Sequence, residues 1–503
     1  LALAANGEFT QAEGGVAATQ ALLPTIVNAI NAFYRREVNL EFVLVANNNT
    51  LIFPDPNTDP YSPLGNNVGT VFSQNAATIN SRIGVNNYDI GHLLGTGAGG
   101  VASLGSACNV NFKAGGLSFF GYNNTFPTIL HNGFGHELGH QLSANHTWNN
   151  CPEFQVQRQA QSAYEPGGGT SIMSYEAICG PSNDITTFFG TFELYFLADS
   201  IERMNNHVAA QGCGTFVGTA NNPPVVQAGT GGVTIPANTK FTLTGSATDA
   251  DADALTYSWE QYDLNATAYA PAQAAIQTSG PLFRVFSPEA ITSRTFPRQT
   301  GYPNNVASRS EVLPAVSRSM SFVLVVRDGK GGVSSDSLSI NVNGNAGPFA
   351  LTGPADGAIQ EGATTVTWNV ANTNVGPVNC TTVRILLSTD SGTTYPQTLI
   401  TGVPNDGSQA VTLPDINSNT ARVRVQCDLN ATVSFFDTSD ANFIVVPSNL
   451  DYDVNNDNRI SASDAVFVLN RLGQGAGDAD VNNDGTVTQF DAQLVLTKIG
   501  QVP

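Results

Sequence analysis

The sequence predicts a multidomain chain: an N-terminal α/β domain, two β-sandwich domains and a small C-terminal α-helical domain. Length is the first observation behind this prediction, because 503 residues exceed what one hydrophobic core usually serves. The second is a change of periodicity near residue 221, where helical spacing ends and short β-type runs begin. The third is a 27-residue repeat close to the C-terminus. We predict domains at 1–215, 222–345, 346–447 and 451–501.

Composition limits the class of protein. Only 12% of the residues are charged, and the formal net charge of −20 argues against nucleic acid or an anionic membrane as a partner. No uninterrupted apolar run reaches the roughly 18–20 residues that span a bilayer. The first nine residues lack the basic segment of a signal peptide. Six cysteines without a Cys-x-x-Cys pair favour disulfides in an oxidising compartment, so we expect a secreted, extracellular protein.

Residues 1–215 alternate strand-like and helix-like segments. Apolar residues at helical spacing predict helices over 14–36, 68–83 and 188–207, and a further helix with Pro127 in its first turn. Runs rich in β-branched and aromatic residues predict strands over 1–9, 38–53, 89–94 and 116–120. This order is compatible with a sheet backed by two helices.

Residues 222–345 and 346–447 carry short β runs separated by Gly, Pro and Asp, the pattern of a β-sandwich. The runs are 241–243, 255–260, 321–326 and 337–342 in the first segment, and 365–369, 382–388, 410–413, 421–427 and 443–446 in the second. The stretches 248–259 and 327–332 resemble cadherin-like or polycystic-kidney-disease-type domains of bacterial secreted enzymes. The second segment resembles a fibronectin- or immunoglobulin-like module. Asp249, Asp251 and Asp253 either bind Ca²⁺ or form a solvated turn.

The C-terminal repeat aligns residues 453–464 with residues 480–491. Oxygen-bearing side chains at positions 1, 3, 5, 9 and 12, with a backbone carbonyl at position 7, have the spacing of a calcium-binding loop. Position 6 needs a sharp bend, which Gly485 supplies in the second loop and Asn458 in the first. The predicted calcium ligands are Asp453, Asn455, Asp457, Arg459, Ser461 and Asp464 in the first loop and Asp480, Asn482, Asp484, Thr486, Thr488 and Asp491 in the second.

Each loop leads into an amphipathic helix, predicted over 462–472 and 489–499. Asp instead of Glu at position 12, with a helix only after each loop, resembles a type I dockerin. The resemblance implies a cohesin-type partner bound through residues 462–463 and 489–490, and a connection with polysaccharide catabolism. Ala462-Ser463 and Gln489-Phe490 depart from the common Ser-Thr pattern and from each other. The alternative is a calcium-stabilised C-terminal cap.

The segment from His136 to His140 carries the spacing of a zinc-binding helix. The two histidines are four residues apart and share a helical face, so both imidazoles can bind one metal ion. Glu137 lies beside the first, where a carboxylate can reach a metal-bound water. His146 can supply a third nitrogen if the chain turns back after the helix. Three protein ligands with one open position are typical of a catalytic zinc site.

Features around this segment strengthen the zinc prediction. Residues 171–175, with Met173 at their centre, resemble the Met-turn that runs beneath the metal in metzincins. Residues 165–169 form a Gly-rich loop, expected to be a wall of the substrate pocket. Each helical glycine costs about 1 kcal/mol relative to Ala, so we expect close approach of neighbouring elements at Gly133, Gly135 and Gly139.

On HELGHQLSANH, the Met-turn and the αβα order, residues 1–215 resemble a bacterial reprolysin-like (adamalysin-related) metzincin. The resemblance implies a zinc metalloendopeptidase acting on protein or peptide substrates, with Zn²⁺ on His136, His140 and His146. Glu137 would be the general base, and Met173 would shape the floor of the site without touching substrate. Ser143 stands where the clan has glycine. Either Ser143 adopts a left-handed conformation or the turn moves to Asn145.

Other functions stay open at this point. The domain could be a catalytically silent or latent metzincin whose β modules and tail carry a binding function, or a zinc hydrolase of non-peptide bonds. Tyr175 could stabilise an oxyanion or simply pack, whereas His92, His131 and His207 lack ligand spacing. Three pairings are possible for the first four cysteines, and we expect Cys151–Cys179 with Cys108–Cys213. A Cys380–Cys427 bridge would suit the second β-sandwich.

Overall fold

The computed structural model describes residues 1–62, 67–97, 99–120, 133–176, 178–185, 193–298, 311–448 and 450–501. The chain forms two compact units. Unit 1 comprises residues 1–232, 243–297 and 307–342, and unit 2 comprises residues 233–242, 298–306 and 343–503. Pro127 and His131 lie outside the described residues, as do residues 188–192. The helix predicted over 188–207 begins only at Ala198 and runs to Gln211.

The N-terminal part of unit 1 is a four-stranded sheet with helices on both faces. Its strands are β1 (Ala2–Ala5), β2 (Gly91–Thr96), β3 (Gly99–Ala102) and β4 (Gly116–Phe120), in the order β1-β2-β4-β3. The first, second and fourth are parallel, whereas the edge strand β3 is antiparallel to β4. The helices are α1 (Gly7–Ala12), α2 (Val16–Val38), α3 (Val68–Arg82), α4 (Phe134–Gln141) and α5 (Ala198–Gln211), with 3-10 turns at Asn48–Leu51, Val85–Asn87 and Pro152–Gln157.

Alternate residues of this sheet are buried against different helices, because side chains along a strand point to opposite faces. Leu3 and Leu94 belong to a core shared with α2 and α4. Leu93 and Leu117 belong to a second core, shared with α3. The αβα order predicted from the sequence is therefore present.

Helix α2 is long and apolar enough to cross a membrane by length and composition, which a count of uninterrupted apolar residues did not reveal. Its apolar side packs into the main core of unit 1 through Leu23, Ile26, Ile30 and Phe33. Glu37, near its C-terminal end, is fully buried in an ion pair with Arg327 (2.8 Å). The helix is thus a core element of unit 1.

The strand predicted over 38–53 is wrong. The segment contains a 3-10 turn and a single bridge between Ile52 and Ala5. The Asn48 amide replaces a strand at this edge of β1, because it accepts from the Leu3 N–H (2.8 Å) and donates to the Leu3 carbonyl (2.9 Å). Asn31 bonds the Phe42 backbone in the same way (2.7 and 2.9 Å). Side-chain amides that imitate a backbone partner leave no periodic signal in a sequence.

The first predicted strand is also shorter than expected. Asn6 accepts from the Phe9 N–H (2.9 Å) and caps helix α1, so β1 ends at Ala5 instead of residue 9. The strands predicted over 89–94 and 116–120 correspond to β2 and β4, and the helices predicted over 14–36 and 68–83 correspond to α2 and α3.

Residues 225–343 are β-rich, as predicted. Their elements are β5 (Val225–Gln227), β6 (Thr234–Pro236), β7 (Lys240–Thr244), β8 (Ser246–Thr248), β9 (Thr256–Gln261), β10 (Ser293–Phe296), β11 (Arg318–Arg327) and β12 (Val333–Asn343), with a 3-10 turn at Pro271–Ile276. In unit 1, β11 pairs antiparallel with β9 and β12. Val323 and Val325 of β11 lie in the same core as α2 and α4, so the β segment of unit 1 and the αβα segment share one interior.

Unit 2 contains β strands followed by two helices. Its elements after residue 343 are β13 (Ala350–Gly353), β14 (Ile359–Glu361), β15 (Ala363–Asn369), β16 (Thr382–Ser388), β17 (Gln397–Pro404), β18 (Ser408–Thr412), β19 (Ser418–Asp428), β20 (Val433–Thr438), β21 (Phe443–Val446), α6 (Ala462–Leu469) and α7 (Gln489–Lys498). Strand β19 pairs antiparallel with β16, β20 and β21, and β15 lies between β13 and β18. Helix α6 ends three residues before its predicted end at 472.

Three disulfides link the six cysteines. They are Cys108–Cys213, Cys151–Cys179 and Cys380–Cys427, so the expected pairing is confirmed. The loop closed by Cys151–Cys179 contains residues 171–175, which resemble the Met-turn.

Candidate metal centre

Helix α4 carries His136, Glu137 and His140, and its glycines sit where neighbours come closest. A Cβ at Gly139 would overlap the Met173 Sδ, and one at Gly133 would lie 2.8 Å from the Phe120 ring. The Tyr34 hydroxyl donates to the Gly135 carbonyl (2.8 Å). Close approach of neighbouring elements, predicted from the helical glycines, is therefore present.

The helix ends at the non-glycine residue that the sequence singled out. Ser143 has φ +80°, whereas Asn145 is not among the residues with positive φ, so the turn does not move to Asn145. The Ser143 N–H donates to the His140 carbonyl and the Ala144 N–H to the Gly139 carbonyl, both at 2.9 Å. These two bonds form a Schellman motif. The chain thereby reverses and brings His146 back toward the helix.

The structure brings the three predicted histidines together. One ring nitrogen from each of His136, His140 and His146 lies within 4.8 Å of the others. The three Nδ1 atoms bond to backbone carbonyls, at Ile172 (2.7 Å), Ala144 (2.7 Å) and Gln157 (2.9 Å) respectively. A carbonyl only accepts, so each Nδ1 carries the hydrogen and each Nε2 carries a lone pair.

This tautomer assignment indicates a cation. The Nε2 atoms of His140 and His146 are 3.0 Å apart, and two lone pairs at that distance repel unless a positive ion lies between them. Burial lowers the pKa of His140 to about 3, with the neighbouring His146 as a smaller cause, and burial also lowers the pKa of His146. The imidazoles of His140 and His146 therefore stay neutral, the form that ligates metal. Three convergent, oriented imidazoles fit Zn²⁺.

Glu137 is buried beside these ligands on α4. Its Oε2 has no hydrogen-bond partner in the part of the chain that the structure describes. Burial raises the pKa of the Glu137 carboxyl well above its usual range. Gly100, on the edge strand β3, faces this carboxylate so closely that a Cβ there would lie 2.5 Å from the Glu137 Oε1. Strand β3 was not predicted from the sequence, and it brings backbone against the proposed base.

Met173, at the centre of the predicted Met-turn, packs against α4 at Gly139. Met173 is fully buried, and its carbonyl accepts from the Thr147 N–H (3.1 Å), next to the third histidine. Tyr175 packs its ring 4.6 Å from the His146 ring and 5.4 Å from the Trp148 ring. Its hydroxyl donates to the Gln157 side chain. Tyr175 thus has a packing role in this structure.

Residues 165–169 are buried, and their role as a wall of the substrate pocket stays a prediction. Glu165 is fully buried, and its carboxylate accepts from Thr147 and from the start of the Met-turn. Sequence reasoning missed this residue, because a single Glu in a Gly-rich loop carries no motif. His92 is a structural residue, bonded to Gln141 and Ser118 (2.8 Å each).

In the first C-terminal loop, carboxylate oxygens of Asp453, Asp457 and Asp464 lie within 4.8 Å of one another. The predicted bends are present, since Asn458 has φ +63° and Gly485 φ +95°. Both loops share one hydrogen-bond pattern: the position-1 carboxylate accepts from the N–H groups of positions 5 and 6, and the position-12 carboxylate from those of positions 3 and 9.

The side-chain contacts at position 5 differ between the loops, since Asp457 accepts from the Ser463 hydroxyl in the first loop. Asp484 Oδ2 accepts from the Asn482 side chain (2.9 Å). Ser461 and Thr488 cap α6 and α7, and Asp464 and Asp491 complete the capping boxes, a second role that the spacing did not reveal. Arg459 and Thr486 hold position 7, where the predicted ligand is the backbone carbonyl.

The Asp249, Asp251 and Asp253 carboxylates also come within 4.8 Å of one another. Lys330 already pairs with Asp253 (2.5 Å), and the Asp249 Oδ1 accepts from the Asp251 and Asp253 N–H groups. These contacts are those of a self-contained Asp turn. Calcium at this position stays a prediction.

Comparison with known proteins identifies both ends of the chain. Residues 1–188 match the family model of the reprolysin-like metallopeptidases of family M12B, and residues 451–500 match that of the type I dockerin domain. None of the curated proteins matches the chain. Among solved structures, the fibronectin(III)-like modules of Clostridium thermocellum CbhA cover 45% of this chain and 96% of their own, at 11% identity and a TM-score of 0.17.

The Ig1-2 module of the Drosophila receptor protein tyrosine phosphatase DLAR covers 44% of this chain and 99% of its own, at 11% identity and a TM-score of 0.23. The cadherin-like or polycystic-kidney-disease-type label for residues 222–345 stays a prediction. With the convergent histidines at one end and the paired loops at the other, the two matches are consistent with the geometry. Residues 1–188 form a reprolysin-like metallopeptidase domain of family M12B, and residues 451–500 form a type I dockerin domain.

Proposed function

We propose that the chain is a secreted, zinc-dependent endopeptidase that hydrolyses peptide bonds of extracellular proteins. The observation that carries this proposal is the convergence of three oriented imidazoles beside a buried Glu137 oxygen that has no partner among the described residues. A structural zinc site has four protein ligands, whereas three leave a position open for chemistry.

In this proposal His136, His140 and His146 hold the metal. A bound zinc ion supplies a Lewis acid that polarises the substrate carbonyl and lowers the pKa of water toward ~7. The carbonyls of Ile172, Ala144 and Gln157 hold the imidazoles in one tautomer and one orientation.

Glu137 acts as general base and then as general acid. Its Oε2 takes a proton from the attacking water and delivers it to the leaving amine. Burial raises the pKa of the Glu137 carboxyl, which makes the carboxylate a stronger base than an exposed one. Met173 does not touch substrate and acts only as the support beneath α4.

The first prediction concerns Glu137→Ala. We expect the variant to keep zinc while losing peptide hydrolysis by at least ~100-fold, the usual contribution of a general base. Metal content and cleavage of a mixed peptide library, with and without chelator, measure both quantities. Glu202→Ala, an exposed carboxylate on α5, is the control and should behave as the wild type.

Two outcomes would contradict the proposal. Appreciable proteolysis by Glu137→Ala would exclude Glu137 as the base. A zinc-loaded wild type that cleaves no peptide in the library would favour a silent domain, and turnover of ester or glycan-linked amide substrates alone would favour a non-peptide hydrolase.

We propose further that the dockerin domain attaches the enzyme to a cohesin-type partner. Helix α6 exposes Val466 and Leu469, apolar residues that a partner could cover. Pull-down of a panel of cohesin modules in calcium, and its loss in chelator, would support this attachment. No binding to any module would favour a calcium-stabilised cap.

A further inference from the structure

The carboxylate of Glu165, close to the predicted zinc ligands, has no exposed surface. Its Oε1 accepts from the backbone N–H groups of Thr170 (2.7 Å) and Ser171 (3.0 Å), and from the Thr170 hydroxyl (3.3 Å). Its Oε2 accepts from the hydroxyls of Thr147 (2.5 Å) and Ser171 (2.6 Å). A carboxylate has about four lone-pair positions, so this one is saturated with donors.

These donors come from two segments that each hold a predicted zinc ligand. Thr147 directly follows His146. Ser171 directly precedes Ile172, whose carbonyl accepts from His136 Nδ1 (2.7 Å). One buried carboxylate therefore links the segment that carries His146 to the turn whose Ile172 carbonyl orients His136.

Backbone bonds place Glu165 itself in register with the same segment. The Glu165 N–H donates to the Thr147 carbonyl, and the Asn149 N–H donates to the Glu165 carbonyl, both at 2.9 Å. Gly169, with φ +75°, passes so close that a Cβ there would lie 2.9 Å from the Glu165 Oε2. The loop is thus built around the carboxylate.

A buried charge is costly unless it is fully hydrogen-bonded. An apolar side chain would fill the same space in the loop at a lower cost in free energy. Bonds from a charged acceptor are shorter and stronger than neutral ones, and they fix donors in direction as well as distance. A carboxylate at this point suits a task that requires two segments to hold one relative position.

We propose that Glu165 is a positioning residue for the zinc centre, which sets the placement of His146 relative to His136. This inference rests on the proposed function, because it assigns a task within the same metal site. Glu165 touches neither metal nor substrate, and it acts through Thr147 and Ser171.

The test compares Glu165→Gln and Glu165→Ala with the wild type in the full chain. Residues that orient metal ligands typically contribute about 10–100-fold in affinity when lost. We expect the zinc dissociation constant, measured by competition with a chromophoric chelator, to rise about 10-fold for Gln and about 100-fold for Ala. We also expect the visible ligand-field spectrum of the cobalt-substituted protein to change, because it reports ligand geometry.

A matched control separates positioning from loss of stability. Glu311 is also a buried carboxylate of unit 1, paired with Arg294 (2.6 Å). Glu311→Gln should lower the melting temperature while leaving the zinc affinity and the cobalt spectrum unchanged. Wild-type affinity and spectrum in both Glu165 variants would overturn the proposal.

The test still gives a result if Glu165→Ala does not fold or if the wild type has no peptidase activity. If Glu165→Ala does not fold, Thr147→Val removes only one donor to the carboxylate, and it should shift the cobalt spectrum in the same direction as Glu165→Gln. An unchanged spectrum would again overturn the proposal. Neither readout uses substrate, so a wild type that binds zinc without cleaving peptides would contradict the proposed function and leave this test intact.

Discussion

At the scale of single residues, Ser143 stands where a glycine would adopt the required backbone conformation without strain. Its φ of +80° lies in the left-handed region, where a Cβ is strained and glycine is not. The Schellman bonds hold it there because His146 has to return toward α4. The strain is thus located in the turn that completes the metal site.

The second prediction follows from this strain. Ser143→Gly should raise the free energy of unfolding by about 1 kcal/mol, since the relief of left-handed strain exceeds the added flexibility of the unfolded chain. Denaturant unfolding of the two proteins measures the difference, with Ser143→Ala as the control that keeps a Cβ. Equal stability of the Gly and Ala variants would contradict the strain.

The third prediction concerns His92, a fully buried histidine between β2, β4 and α4. Burial lowers its pKa to about 4, against 6.5 for an exposed histidine. The unfolded chain takes up the proton as pH falls below 6.5, whereas the folded protein does so only near 4, so stability is lost across this window. The loss for this one group amounts to roughly 3 kcal/mol.

His92→Gln should therefore weaken the acid dependence of stability. We expect the free energy of unfolding to fall less between pH 6.5 and 4 in the variant than in the wild type. Denaturant titrations at several pH values give this slope, and the remaining histidines contribute equally to both proteins. Parallel slopes would show that His92 is not the titrating group.

At the scale of elements, the carboxylate at position 12 of each C-terminal loop has two structural roles. Asp464 and Asp491 cap the helices that follow and also hold position 12 of the loops. Asp453 and Asp480 accept from backbone N–H groups across each loop. A cation at the centre would relieve the repulsion among these acids, so loop and helix should form together.

The fourth prediction is that calcium stabilises this region. Chelation should lower the melting temperature of the C-terminal helices, and calorimetric titration should show two bound calcium ions in the wild type but one in Asp453→Ala. Asp406→Ala, an exposed acid outside the loops, serves as the control. Two bound ions in Asp453→Ala would remove Asp453 from the ligand set.

The elements also show what the sequence could and could not predict. The helix with two histidines four residues apart, the turn around Met173 and the paired loops were predictable because spacing within a few residues defines them. Strand β3 and the edge formed by Asn48 were missed, because glycines and a side-chain amide replace the usual β pattern there. Glu165 was missed for a related reason: its partners lie at Thr147, Thr170 and Ser171, and no local pattern connects them.

At the scale of the whole molecule, unit 1 joins two of the predicted domains. Arg327 of β11 has no exposed surface and donates to Glu37 of α2, to Ser258 and to the Phe196 carbonyl (2.9, 3.0 and 3.0 Å). Tyr164 stacks on Tyr262 with ring centres 4.1 Å apart. We propose that residues 1–215 and the parts of 222–345 that belong to unit 1 fold as one cooperative unit.

The fifth prediction tests this coupling. Arg327→Met should lower the free energy of unfolding by about 3 kcal/mol, because it removes the buried one of the two arginines that pair with the Glu37 charge. Adding Glu37→Gln should recover part of the loss, since the two residues interact directly. Denaturant unfolding of the single and double variants gives both numbers. A change of less than about 0.5 kcal/mol, the usual scale for surface substitutions, would contradict the coupling.

The central claim is that one zinc ion lies between His136, His140 and His146. An anomalous difference map at the zinc absorption edge, from crystals grown in zinc, tests it most directly. We expect a single strong peak in unit 1, about 2.0–2.1 Å from a ring nitrogen of each histidine. No peak there, or a peak on other residues, would contradict it.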